Sequence, residues 1–411
     1  MDTGYHGHQL SKGLGTVTED FTQTKYCYLN LTKLMFSGVV LLYFVAVIAV
    51  NQVKSEVASG FFYLVLLLGT VVYFYTKRSM AFRPVIFYAI GAAILGTCNI
   101  IFVGNLTPLR VVILFASFLF AVIFLDDDVD ERTFLIAVYL NAAVVAIRLF
   151  LYGRQTPVYV DSSNNYISVH LLMPAVLYYS MLEMRGKKIP IFPAVVIWIL
   201  SLLAGGRGGL LAATLLLGGI ILYRFYRDEV TRRERVILGL ILFIILVPVV
   251  LIVLELFASR FSGLYVVTRF LDKGMNGGGR LDCWTEYIEK SSMSVTRFLF
   301  GTDLTQVDWA VHYNGNLHNS YLFVHAYLGI FGFLFVIVML IRAVVLGIRC
   351  RKWIYVTSLI TIMFRSLTDH VFGVNRLSVV ILALIFIPDI LKIRENSRKL
   401  LYTENVPGNL R

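Results

Sequence analysis

The chain is a succession of apolar runs separated by short polar connectors, and the length of each run sets its conformation. A membrane-crossing helix needs roughly 20 apolar residues. Runs near that length occur at 34–51, 57–75, 84–103, 111–125, 133–152, 166–184, 189–204, 209–223, 236–257, 321–341, 353–366 and 377–391. The pattern predicts an all-α polytopic membrane protein with about 12 transmembrane helices. The expected plan is a cytoplasmic tail over 1–33, nine helices over 34–257, one large extracytoplasmic loop over 258–320, three helices over 321–391 and a second cytoplasmic tail over 392–411.

Two stretches depart from this rhythm. Residues 189–223 as one helix would run about 52 Å, against a hydrocarbon core of about 30 Å. The helix is expected to break at Gly205-Gly206-Arg207-Gly208-Gly209. That puts Arg207 within the outer leaflet, between glycines that let a ligand approach the backbone. The other departure is the polar loop. It carries a turn, Met275-Asn276-Gly277-Gly278-Gly279, before Arg280, then an amphipathic segment from Leu281 to Lys290 and an apolar patch at Phe298-Leu299-Phe300. It has too few apolar residues for a core of its own, so it is expected to fold back over the membrane. Its end delivers Leu317-His318-Asn319-Ser320 to the start of the tenth apolar run.

Composition narrows the class. At 58% hydrophobic and 15% charged the chain lies outside the range of soluble domains. The net charge of +12 raises nucleic acid as a partner. The Lys and Arg, however, sit in connectors, and no nucleic-acid-binding pattern is present. With the N-terminus inside, 24 Lys and Arg fall in inner segments and 11 in outer ones. The positive-inside rule therefore predicts a multi-pass plasma-membrane protein with both termini cytoplasmic. The first run has no small-residue cleavage site after it and reads as a retained anchor. The four cysteines have neither metal-ligand spacing nor a disulfide framework. The acidic run Asp126–Glu131 reads as a solvated connector.

Candidate chemistry gathers on one face. Arg207 and Arg280 offer planar forks of donors that stay charged at any relevant pH, which suits a diphosphate. His318 can take a proton near neutral pH. Asn319, Tyr321, Arg365, Asp369 and His370 border the same face and are candidate substrate contacts. Plainer readings stand beside these. Arg280 can be a headgroup contact, Asn319 or Ser320 a helix cap, and Asp369-His370 a polar turn. The loop acids show no spacing that selects a glycosidase pair.

Three motifs carry a resemblance: Gly206-Arg207-Gly208-Gly209 opening an apolar helix, Gly279-Arg280 leading to Trp284, and Leu317-His318-Asn319-Ser320-Tyr321-Leu322 followed by Gly329-Ile330-Phe331-Gly332. In this order they resemble the O-antigen ligase and polymerase superfamily, bacterial membrane glycosyltransferases acting on undecaprenyl-diphosphate-linked glycans. The resemblance implies that Arg207 and Arg280 engage the diphosphate and that His318 acts on the acceptor or helps bind the donor. No metal or other cofactor is implied. One position departs: Gly206 stands where a serine commonly precedes the first arginine.

The expectation that follows is a repeat-unit polymerase of an O-antigen, capsule or exopolysaccharide. It would work at the outer face of a bacterial inner membrane, with a chain-length regulator and a flippase as partners. The rivals are a ligase that moves the finished glycan to lipid A-core and, from another class, a transporter of the same lipid. The helix break and the large loop both lie in the second half, whereas transporters often show matching breaks in related halves.

Overall fold

A computed structural model describes residues 11–53, 55–77, 82–152, 166–226, 279–313, 315–373 and 375–404, with isolated positions between 231 and 240. The described residues are almost wholly helical and contain no strand. The helices are α1 (Ser11–Val53), α2 (Glu56–Lys77), α3 (Phe82–Phe102), α4 (Pro108–Phe124), α5 (Glu131–Tyr152), α6 (Ile167–Met184), α7 (Phe192–Ala204), α8 (Arg207–Tyr226), α9 (Arg280–Ser292), α10 (Val295–Phe300), α11 (Asp308–His312), α12 (Ser320–Arg349), α13 (Trp353–Leu367) and α14 (Ser378–Glu404). Seven are long and apolar enough to cross a membrane: Leu31–Val53 of α1, α2, Val85–Phe102 of α3, Glu131–Leu151 of α5, α6, α8 and α12. Four shorter apolar helices, α4, α7, α13 and Ser378–Ile390 of α14, stand at four more expected positions. The ninth expected span, 236–257, lies outside the described residues except for scattered positions near its start. Among the described residues, seven helices are therefore long and apolar enough to cross a membrane.

Local chemistry explains the boundaries. Thr107 caps α4 by accepting from the Arg110 N–H, and Pro108 follows it, where a missing N–H costs nothing. Gly205 ends α7 in the left-handed region (φ 72°), and α8 restarts at Arg207, so the predicted break falls where the glycines are. Both expected tails begin or end in helix: α1 starts at Ser11 and α14 runs to Glu404.

The core is built around α6, whose apolar window is 94% buried. Helix α13 runs antiparallel to both α6 and α8. Against α6, Arg365 near one end of α13 meets Ser168, and Ile354 and Tyr355 at the other end donate N–H groups to the Glu183 carboxylate. Against α8, a Cβ on Gly208 would meet Thr368 Oγ1 at 2.7 Å and one on Gly219 would meet Thr357 Cγ2 at 2.3 Å. Both glycines thus permit close packing at equal intervals along the two helices. Three helix ends that carry polar groups, the start of α6, the start of α8 and the end of α13, consequently lie together.

The opposite end is held by charge. Lys33 and Lys77 reach Asp130 and Asp126 at 3.0 and 3.2 Å, Lys77 also pairs with Asp128, and Arg185 meets Glu131 at 2.5 Å with Lys187 beside it. The acidic connector is therefore a clasp joining four elements rather than a solvated turn. Burial would raise the Asp130 pKa, but the Arg132 backbone N–H and the charges of Lys33 and Arg132 outweigh it and lower the value.

The described part of the polar loop lies against the bundle. Helix α10 nests on α12 at Gly329, whose φ of 65° kinks the helix and whose Cβ, if present, would sit 1.8 Å from the Leu299 carbonyl. Gly301 also packs closely on α12, where a Cβ would sit 2.2 Å from the Ala326 carbonyl, and Asn99 and Asn105 of the α3 end donate to the Phe300, Thr302 and Ala326 carbonyls. Cys283, Tyr287, Val307 and Leu317 form a small apolar cluster that is completed by Phe323 and Ala326 of α12.

Candidate active site

Five separated segments meet at the end of the bundle opposite the clasp. Gly279 (φ 79°) turns the chain into α9, and Arg280 donates from Nη1 to the Thr368 carbonyl at 2.9 Å. Arg365, 1% exposed, donates from Nε to Ser168 Oγ (3.2 Å), from Nη1 to Thr368 Oγ1 (2.9 Å) and from Nη2 to Asp369 Oδ2 (2.8 Å). Arg207 opens α8 one residue before Gly208, which abuts Thr368 and Arg365. Burial lowers the Arg280 pKa; the neighbouring Asp369 opposes this, and Arg365 and Arg207 push the same way as burial. Asp369 thus interacts with both Arg365 and Arg280, and Arg207 stands close enough to Arg280 to repel it. The positive end of the α8 dipole adds to the field there.

Asp369 is 2% exposed. Burial alone would raise its pKa, but Arg365 and His318 hold the carboxyl well below the usual range. It therefore stays charged and works as the counter-ion of the cluster. Its other oxygen, Oδ1, accepts from the His370 N–H (2.9 Å) and lies 3.7 Å from His318 Nδ1, within ion-pair distance but beyond a hydrogen bond.

His318 is held by its backbone. It occupies the left-handed region (φ 50°), a conformation that costs a residue with a Cβ about 1–2 kcal/mol. Contacts on both sides maintain it. The His318 N–H donates to Asn316 Oδ1 at 2.8 Å, the Leu317 carbonyl accepts from Trp284 Nε1 at 2.8 Å, and the Tyr313 ring meets the imidazole edge-on. Next in the chain, Asn319 caps α12, its Oδ1 accepting from the Tyr321 and Leu322 N–H groups. Ser320 ties the cap to the α13–α14 connection: Oγ donates to the Asp369 carbonyl (2.8 Å) and accepts from the Val371 N–H (2.7 Å).

The structure brings together Arg207, Arg280, His318, Arg365 and Asp369. Arg365 and Asp369 are packed beneath the others, where they orient rather than touch a ligand. Tyr321 is buried with its hydroxyl on the Met363 carbonyl (3.2 Å), and Asn319 spends its side-chain oxygen on the cap. His370 turns the other way. Its ring stacks on Phe323 at 3.7 Å, and burial lowers its pKa to about 4, so it is neutral at physiological pH. Sequence reasoning passed over Ser168 and Thr368, and it named Ser320 only as a possible helix cap. The signal for Ser168 was a hydroxyl in an apolar run, which gains meaning only beside Arg365. Among the described residues no group of three or more His, Cys, Asp or Glu is placed to hold a metal ion.

The fold and its apolar helices define a polytopic helical membrane protein with a cationic cluster at one end. Comparison with models of known protein families, with curated proteins and with solved structures gives no match.

Proposed function

We propose that the protein is a metal-independent glycosyltransferase that polymerises polyprenyl-diphosphate-linked oligosaccharide repeat units at the outer face of a bacterial inner membrane. The observation that carries this reading is the convergence of Arg207, Arg280 and His318, each from one of the three separated motifs, around a single buried carboxylate. The twelve-span plan belongs to the same proposal. The chain leaves α8 at the clasp end and resumes at Arg280 at the site end, a change of side that a ninth span supplies.

In this reading Arg207 and Arg280 bind the diphosphate of the donor and stabilise it as it leaves. His318 accepts the proton of an acceptor hydroxyl, with Asp369 orienting the imidazole and stabilising the imidazolium. The acceptor oxygen forms its bond to the anomeric carbon while the bond from that carbon to the diphosphate oxygen breaks, inverting the centre. The polyprenyl diphosphate departs with the electron pair. Arg365 holds Asp369 in place.

The test is complementation of a strain lacking the gene with wild type, Arg207→Ala, Arg280→Ala and His318→Ala, reading surface glycan beside membrane protein level. A polymerase leaves single repeats on the core when deleted; bare core with polymer on the lipid carrier indicates the ligase instead. Three variants that are present in the membrane and work normally overturn the site.

A further inference from the structure

Behind the cationic cluster the same end of the bundle holds a cavity of about 390 Å³. It is bounded by Arg110 at the start of α4, Arg376 just before α14, Tyr166, Asn375 and His370, and no Asp or Glu is among its lining residues. Asp369 and His370 are adjacent in sequence yet serve the two sites separately. Asp369 faces Arg365 and His318, whereas His370 stacks away from them and lines the cavity with a buried Nε2 that has no hydrogen-bond partner. Asn316, which accepts from the His318 N–H, lines the cavity too. A chamber with two guanidiniums, two imidazoles, amides and tyrosine hydroxyls, and no carboxylate among the described residues that line it, matches an anionic group attached to a sugar.

A second cavity of about 180 Å³ shares Leu114 and Gly373 with the first. Its walls are apolar: Phe87, Ala92 and Leu95 of α3, Phe118 of α4, Leu328 of α12 and Ile385 of α14. Along α12 it extends from Val324 to Val336, roughly 18 Å of helix, away from the polar end. Phe87 at its rim is 74% exposed, so the chamber reaches the lipid-facing surface. A polar, cationic chamber at the helix ends, adjoining an apolar one that descends between helices, has the form that suits a lipid with a charged head and a single chain.

We infer that these two chambers form a second lipid-phosphate site, which holds the acceptor glycan-lipid with its phosphate at Arg110 and Arg376 and its hydrocarbon beside Gly91. The identification of the occupant as the second substrate rests on the proposed function; the site itself does not. His318 then stands between two lipid-linked molecules, donor on the Arg207–Arg280 side and acceptor on the His370 side. A polymerase requires both.

The test uses the full chain in phosphatidylcholine nanodiscs, titrated with undecaprenyl diphosphate and counted by native mass spectrometry. Wild type is expected to bind two molecules. Arg110→Gln/Arg376→Gln binds one, and Arg207→Ala/Arg280→Ala binds one, the lost site weakening at least tenfold. Gly91→Leu places a side chain where a Cβ meets nothing within 4 Å. It should lose the second lipid while leaving the affinity for inorganic diphosphate unchanged, which separates a lipid site from a free-anion site. Two lipids bound by both Arg110→Gln/Arg376→Gln and Gly91→Leu overturn the inference. One lipid in wild type, lost only with Arg207 and Arg280, overturns it and leaves the proposed function standing. One lipid lost only with Arg110 and Arg376 upholds the cavity and overturns the diphosphate role of Arg207 and Arg280.

Discussion

Replacing Asp369 with Asn removes the charge that the cluster is built on while keeping the side chain's shape. Arg365 and Asp369 are 1% and 2% exposed and meet at 2.8 Å. Removing one partner of such a buried pair costs about 3–5 kcal/mol, because the other charge stays in low dielectric uncompensated. Serine and threonine hydroxyls on Nε and Nη1 soften the loss without cancelling it, so about 3 kcal/mol is expected. The assay is unfolding of the purified protein in mixed micelles by denaturant titration. A second arm follows from linkage: a diphosphate supplies the missing negative charge, so saturating polyprenyl diphosphate should stabilise Asp369→Asn by more than it stabilises wild type. A variant that unfolds within about 1 kcal/mol of wild type, the range of surface pairs, refutes the claim that Asp369 is the buried counter-ion of the arginines.

Other outcomes follow from single contacts. His370 titrates near 6.5 when unfolded and near 4 when folded, so the unfolded chain binds more protons between these values. Stability should fall by about 3 kcal/mol as pH drops from 6.5 to 4, and His370→Gln should flatten that slope in a pH series of melting curves. Gly329→Ala places a Cβ 1.8 Å from the Leu299 carbonyl at φ 65°. It should cost about 3 kcal/mol or more and expose 280–313 to protease. Asn319→Ala removes a cap worth about 1 kcal/mol, and a small melting shift with glycan synthesis retained separates a structural Asn319 from a substrate contact.

Much of the architecture was legible because run length and glycine position are local signals. The break at Gly205, the helix opening at Arg280 and the start of α12 at Ser320 follow from capping and φ preference. The gathering of Arg207, Arg280 and His318 was expected from their common side of the membrane, and the cluster contains all three. What the sequence hid is what depends on packing between distant segments. Arg365 reads as a phosphate contact until Ser168, Thr368 and Asp369 are seen to occupy it. Asp369 and His370 read as one polar turn, yet they face two different sites. The acidic run reads as solvated because its cationic partners lie on α1, α2 and the α6–α7 connection. Arg376 carries no motif of its own, and only the arrangement of α2, α4 and α6 makes it a cavity wall.

The most direct measurement of the central claim is turnover of a lipid-linked repeat unit by the purified protein in proteoliposomes, wild type against His318→Ala, with donor binding followed in parallel. Wild type is expected to build a ladder of glycan products. His318→Ala should bind the donor lipid with unchanged affinity while turnover falls at least about a hundredfold, the usual worth of a general base. A His318→Ala protein that extends the glycan within tenfold of wild type would contradict the account.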